Sequence, residues 1–101
     1  MRVSFRENNN IIEADYFNNL IDGRKGYKII TCLCDEDYFI KIFKDNLSSK
    51  FFKDEASNKY YIDFNGCCFI GKLKFKSLAK ILKKIGYIED INAYGIYSIE
   101  I

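Results

Sequence analysis

The chain contains no histidine, no tryptophan and no proline, and it has one valine, one threonine and one methionine among 101 residues. The lack of histidine removes the side chain whose unperturbed pKa lies nearest neutrality, the commonest general base and a frequent transition-metal ligand. Most hydrolase and transferase constellations thereby lose a member. With Val and Thr nearly absent and sixteen Ile present, strand-forming β-branched character rests almost wholly on Ile. Arginine is scarce as well. Arg2, Arg6 and Arg24 are three of sixteen basic residues, and Arg is the residue that bidentate phosphate and base recognition favours. No run approaches the eighteen apolar residues of a transmembrane helix, and the opening MRVSFRENNN has no apolar stretch of secretory type. The expectation is a cytoplasmic protein without a membrane partner, its four cysteines reduced.

What is present describes one unit. Hydrophobic residues make up 49% and charged residues 30%, too apolar for a disordered segment and too charged for a membrane span. A chain of this length buries about 65% of its unfolded surface on folding, enough for one core without staples. We therefore read residues 1–101 as a single domain. Sixteen basic and fourteen acidic residues leave a formal charge of +2, which gives no bulk attraction to nucleic acid or anionic lipid. Lys, Asn, Ile, Tyr and Phe supply 55 of the 101 residues, a bias that points to an AT-rich gene. Seventeen aromatic residues, eight of them Tyr, exceed what so small a domain can bury completely. Some tyrosines should stand at the surface, where Tyr is a preferred interface anchor.

Along the chain, Arg2–Arg6 alternates and reads as a first strand. From Ile11 to Ile21 two periods compete: Ile12, Ala14 and Tyr16 alternate, while Ile12, Tyr16, Phe17, Leu20 and Ile21 fall at helical spacing. Length and the Gly23 stop favour a helix there. After a loop from Asp22 to Gly26, Tyr27–Cys34 is an apolar run of strand length, expected to be central. Asp35, Glu36 and Asp37 sit where a helix cap and first-turn acids belong, with Tyr38, Phe39, Ile42, Phe43 and Leu47 following at helical spacing. A hairpin turning at the same acids is the rival for residues 35–47. Leu47–Asn58 reads as a polar connection containing Phe51 and Phe52. Asn65-Gly66 between Lys59–Phe64 and Cys67–Phe75 predicts a β-hairpin, because that dipeptide supplies positive φ in a two-residue turn. Ser77 is placed to cap a helix with Leu78, Ile81, Leu82 and Ile85 on its apolar stripe and Gly86 at its end. Tyr94–Ile101 reads as a last strand, with an edge open to a partner. The class is α+β: a mostly antiparallel mixed sheet of about five strands, with two to three helices packed on it.

Candidate chemistry is thin. Cys32, Cys34, Cys67 and Cys68 have the number for a zinc site and not the spacing, since they lie in strands and adjacent Cys67 and Cys68 point to opposite faces. Buried small hydrophobes are the expectation, and no metal or other cofactor is predicted. No histidine is present to activate a thiol. Asp35 with Asp37, or Asp63, could do acid–base work, but a helix cap and a turn account for them. The loop Gly23-Arg24-Lys25-Gly26 permits an anion nest yet lacks the P-loop spacing. The reading is not an enzyme.

By elimination the chain is expected to be a non-catalytic, protein-binding domain. In size, lack of motif and coding bias it is similar in general character to the immunity proteins that accompany bacterial toxins. That similarity implies a steric inhibitor whose partner is a cognate protein such as a toxin domain. The residues assigned to such contact are the acids Asp35, Glu36, Asp37, Glu89 and Asp90 and the tyrosines Tyr38, Tyr60, Tyr61, Tyr94 and Tyr97. The alternative, from another class, is a small nucleic-acid-binding or regulatory domain using Lys72, Lys74, Lys76, Lys80, Lys83 and Lys84, a stretch with six lysines and no acid. Sequence leaves open whether the chain is a monomer or a homodimer.

Overall fold

A computed structural model describes residues 2–45, 58–69, 73 and 75–100. Strand β1 (Arg2–Glu7) turns through Asn8 into the long β2 (Asn10–Ile21), which returns through Asp22-Gly23 into β3 (Arg24–Leu33). A short helix α1 (Glu36–Ile40) continues as a π-helical turn over Lys41–Asp45. Then come β4 (Lys59–Asp63), β5 (Cys68–Phe69), helix α2 (Phe75–Lys84), β6 (Ile88–Glu89) and β7 (Ile96–Glu100). The seven strands form one sheet in the order β1-β2-β3-β4-β7-β6, with β5 also on β3. Both β4 and β5 run parallel to β3, and the other pairings are antiparallel. The α+β class holds, with more strands than the five expected.

Three expectations about individual strands need correction. Residues 11–21 are strand, because Ile12, Ala14 and Tyr16 sit opposite Cys32, Ile29 and Tyr27 on one face while Glu13 and Asp15 on the other reach Arg6 and Arg2 of β1. A neighbour on each side satisfies the alternation. The helical stripe would have had to bury Phe17, which is exposed. Second, Asn65-Gly66 does not close a hairpin. A type I′ turn needs positive φ at both central residues, and here only Gly66 has it, at +78°. Phe64 accepts from Cys67 N (3.1 Å) and Asp63 Oδ1 from Asn65 N (2.7 Å). The turn is a kink between two segments that follow one another along the same edge of β3, at Tyr27↔Ile62 and then Thr31↔Cys68. The hairpin of that geometry lies at Asp22 (φ +48°) and Gly23 (φ +77°). Third, β7 is no edge: β4 covers it from Ile96 to Glu100 and β6 pairs its other side at Tyr97 and Ser98.

The helices follow the sequence more closely. Asp35 is the α1 cap, its Oδ1 accepting from Tyr38 N at 2.8 Å. Helix α2 starts at Phe75, so Ser77 lies exposed in its first turn and is not the cap. It ends as expected. Gly86 takes φ +107°, with Tyr87 N donating to Leu82 O (2.9 Å) and Gly86 N to Lys83 O (3.2 Å), the paired bonds of a Schellman motif.

Both helices cover one face of the sheet. Ile12, Ala14, Tyr27, Ile29, Cys32, Ile62 and Tyr97 from the strands meet Phe39 from α1, Phe43 from the π-helical turn after it, and Leu78, Ile81 and Leu82 from α2. Ile29 and Cys32 can both face inward, three residues apart, because the β2–β3 register shifts between Glu13 and Ala14 and leaves Ile30 as a bulge. Phe39 stacks on Phe43 at 4.4 Å between ring centroids, and Phe64 joins Phe43 (5.8 Å) and Tyr97 (5.9 Å). Burial of each such side chain is worth about 1.5–3 kcal/mol.

Candidate functional site: the turn between β6 and β7

Most of the tyrosines expected at a contact surface are structural. Tyr38, Tyr60, Tyr61 and Tyr97 are buried. The Tyr61 hydroxyl accepts from Arg24 Nη1 at 2.8 Å. Tyr94 alone of the five is exposed, at 72%. It stands with Ile88 (71%) and Ile91 (96%), two residues that the sequence reading did not single out, on β6 and the turn that follows. Ile88, Ile91 and Tyr94 fall three residues apart, a spacing that by itself suits one side of a helix, so nothing local in the sequence marks them as exposed.

The turn is firmly built. Asp90 N donates to Ile96 O (2.8 Å), Ala93 N to Asp90 O (3.4 Å) and Ile96 N to Ala93 O (3.2 Å). Asp90 Oδ1 accepts from Asn92 N at 2.8 Å, and Glu89 Oε2 from Gly95 N at 3.2 Å. From β4's end, Asn65 Nδ2 donates to Tyr94 O at 2.6 Å and Phe64 N to Gly95 O at 2.9 Å. Gly95 takes φ +81°, and a Cβ there would lie 2.7 Å from Asn65 Oδ1. The acids Glu89 and Asp90 thus fix the turn as well as charging it. Ile88, Ile91 and Tyr94 project from a fixed frame. Ile88 also lines an open groove of about 560 Å³ between α2 and β6, with Lys83 and Glu89 among its walls.

Of the other predicted acids and lysines, Lys83 lines that groove and the rest belong to the two helices and the segments beside them. Asp35, Glu36 and Asp37 are exposed around the start of α1, where Asp35 is engaged as the cap. Lys76, Lys80, Lys83 and Lys84 are exposed on α2, while Lys72 and Lys74 lie outside the described residues, as do Phe51 and Phe52. Gly26 cannot serve an anion nest. It is buried in β3, where a Cβ would meet Tyr61 O and Leu20 Cδ2 at 2.6 Å.

Cys32 and Cys34 are buried and Cys68 is exposed. The Cys32 thiol is held protonated, its pKa raised by hydrogen bonds to Cys34 and Cys67 and by burial, whereas the bond from Cys32 lowers that of Cys34. Among the described residues no group of three or more Cys, Asp and Glu is arranged to hold a metal ion. No described helix is long and apolar enough to cross a membrane. Comparison with protein families, with curated proteins and with solved structures finds no match for this chain.

Proposed function

We propose that the protein is a non-catalytic binding domain that inhibits a cognate protein sterically, in the manner of an immunity protein against a bacterial toxin. One observation carries this reading: Ile88, Ile91 and Tyr94 are exposed together on a turn held by seven hydrogen bonds. Each large apolar side chain left in water forgoes about 1.5–3 kcal/mol that covering it would recover. Because the turn is already ordered, a partner that covers it has little loop entropy left to remove. Glu89 and Asp90 flank the apolar contact with negative charge, which suits a partner whose cleft has a basic rim.

A second reading, a nucleic-acid surface on α2, is favoured by the exposure of Lys76, Lys80, Lys83 and Lys84 along one helix. One experiment separates them. Tagged protein and its Ile91→Asp/Tyr94→Asp variant are used to capture partners from native host lysate at low and high salt. The inhibitor reading expects one stoichiometric protein that survives high salt and is lost with the variant. Nucleic acid that elutes as salt rises, equally from both baits, would replace that reading with the second.

A further inference from the structure

The sheet ends differently on its two sides. At one end β6 is only two residues long. At the other, β1 runs six residues in unbroken register with β2, and among the described residues no strand pairs with its outer edge. An edge of that length is ordinarily guarded by Lys, by Pro, by a bulge or by outward charge. The β1 sequence RVSFRE has neither Lys nor Pro, and its exposed charges are paired back onto β2 and Lys41. Arg2 Nε and Nη2 reach Asp15 at 2.8 and 3.1 Å, Arg6 Nη2 reaches Glu13 at 3.8 Å, and Glu7 Oε2 takes Lys41 Nζ at 2.8 Å.

We propose that β1 pairs antiparallel with β1 of a second copy about a two-fold axis at Ser4, making one sheet through both molecules. A two-fold normal to the sheet maps each face onto itself, so residues opposite one another must have the same parity. The register centred on Ser4 sets Val3 against Phe5 of the second copy on the core face, where both already pack against the core. It also sets Arg2 against Arg6 of the second copy on the outer face. That like-charge contact is offset within each molecule, because Asp15 and Glu13 stand behind the two arginines. The next register, centred on Phe5, would oppose Glu7 to Val3 and place a carboxylate in the apolar row. Since β1 and β6 are at opposite ends of the strand order, this pairing leaves Ile91 and Tyr94 of both copies uncovered.

Light scattering over a concentration series tests the association: the mass should rise from 11.9 kDa toward twice that value. Ser4 is exposed, so it can be replaced without entering the core. In a Cys68→Ser background, Ser4→Cys should form an intermolecular disulfide under diamide, because the two positions meet on the axis. Lys25→Cys, exposed on β3, should not. Ser4→Lys, which sets two ammonium groups face to face, should return the protein to monomer with unchanged far-ultraviolet circular dichroism. A monomer at every concentration overturns the proposal. So does a dimer that tolerates Ser4→Lys, or cross-linking at position 25 as fast as at position 4.

Discussion

Gly23 and Gly26 lie three residues apart and are needed for different reasons. Gly23 has φ +77° and open space around it, so an alanine there meets only the cost of left-handed backbone, about 1 kcal/mol. Gly26 has no such φ, but its Cβ would lie 2.6 Å from a backbone carbonyl that cannot swing away. Overpacking of that kind costs about 1–3 kcal/mol, at the upper end when backbone must move. Urea denaturation should therefore find Gly26→Ala more destabilising than Gly23→Ala, and the reverse order would disprove the assignment. Thiol reactivity follows burial in the same way. With a disulfide reagent under native conditions, Cys68 should react first and Cys32 only on unfolding. Composition made it legible that some tyrosines face water. It could not say which, because a shift of one residue in ladder register exchanges the faces of a strand.

At the scale of elements, Asp35 offers the clearest test. Its carboxylate holds Tyr38 N at the start of a helix only five residues long, so Asp35→Ala should cost about 1 kcal/mol in thermal or urea unfolding. Asp35→Asn, which keeps an acceptor, should cost less. Such a cap was readable because it is local: cap, acids and apolar spacing all lie within one short segment. The Gly86 terminus of α2 was readable for that reason too. Residues 11–21 were not, since Ile12 and Tyr16 satisfy both periods and the choice is made by β1 and β3 lying alongside. Asn65-Gly66 misled differently. Gly66 does take positive φ, but a parallel pairing of β4 and β5 with β3 joins residues distant in sequence, and no turn dipeptide encodes that. Of the residues on and around the turn proposed for contact, the sequence singles out Tyr94, Glu89 and Asp90. Ile88 and Ile91 were missed because an exposed isoleucine is recognised only once the core has been filled by others.

For the whole molecule, composition and core together set the response to pH. With no histidine, no side chain has a reference pKa between about 5 and 8, and the larger response is expected outside that interval. The alkaline side is different. Burial raises the pKa of Tyr87, whose hydroxyl donates to Phe43 O at 2.9 Å within the core, and burial likewise raises those of Tyr27, Tyr38 and Tyr97. A phenol whose folded pKa lies above its unfolded value stabilises the fold fully below the unfolded value, about 10, and that contribution is lost as pH rises through the folded one. For Tyr87 alone the slope above pH 10 approaches about 1.4 kcal/mol per unit, and the other three act in the same direction. Against a total stability of about 5–15 kcal/mol, cooperative alkaline unfolding is expected. Tyrosinate absorbance and circular dichroism followed together through a pH titration should show these four phenols ionising in step with loss of the fold. If all eight tyrosines ionised near pH 10 while the dichroism stayed native, the buried placement of Tyr27, Tyr38, Tyr87 and Tyr97 would be wrong, and with it the conclusion that Tyr94 is the one ring turned outward among the five tyrosines that the sequence offers for contact.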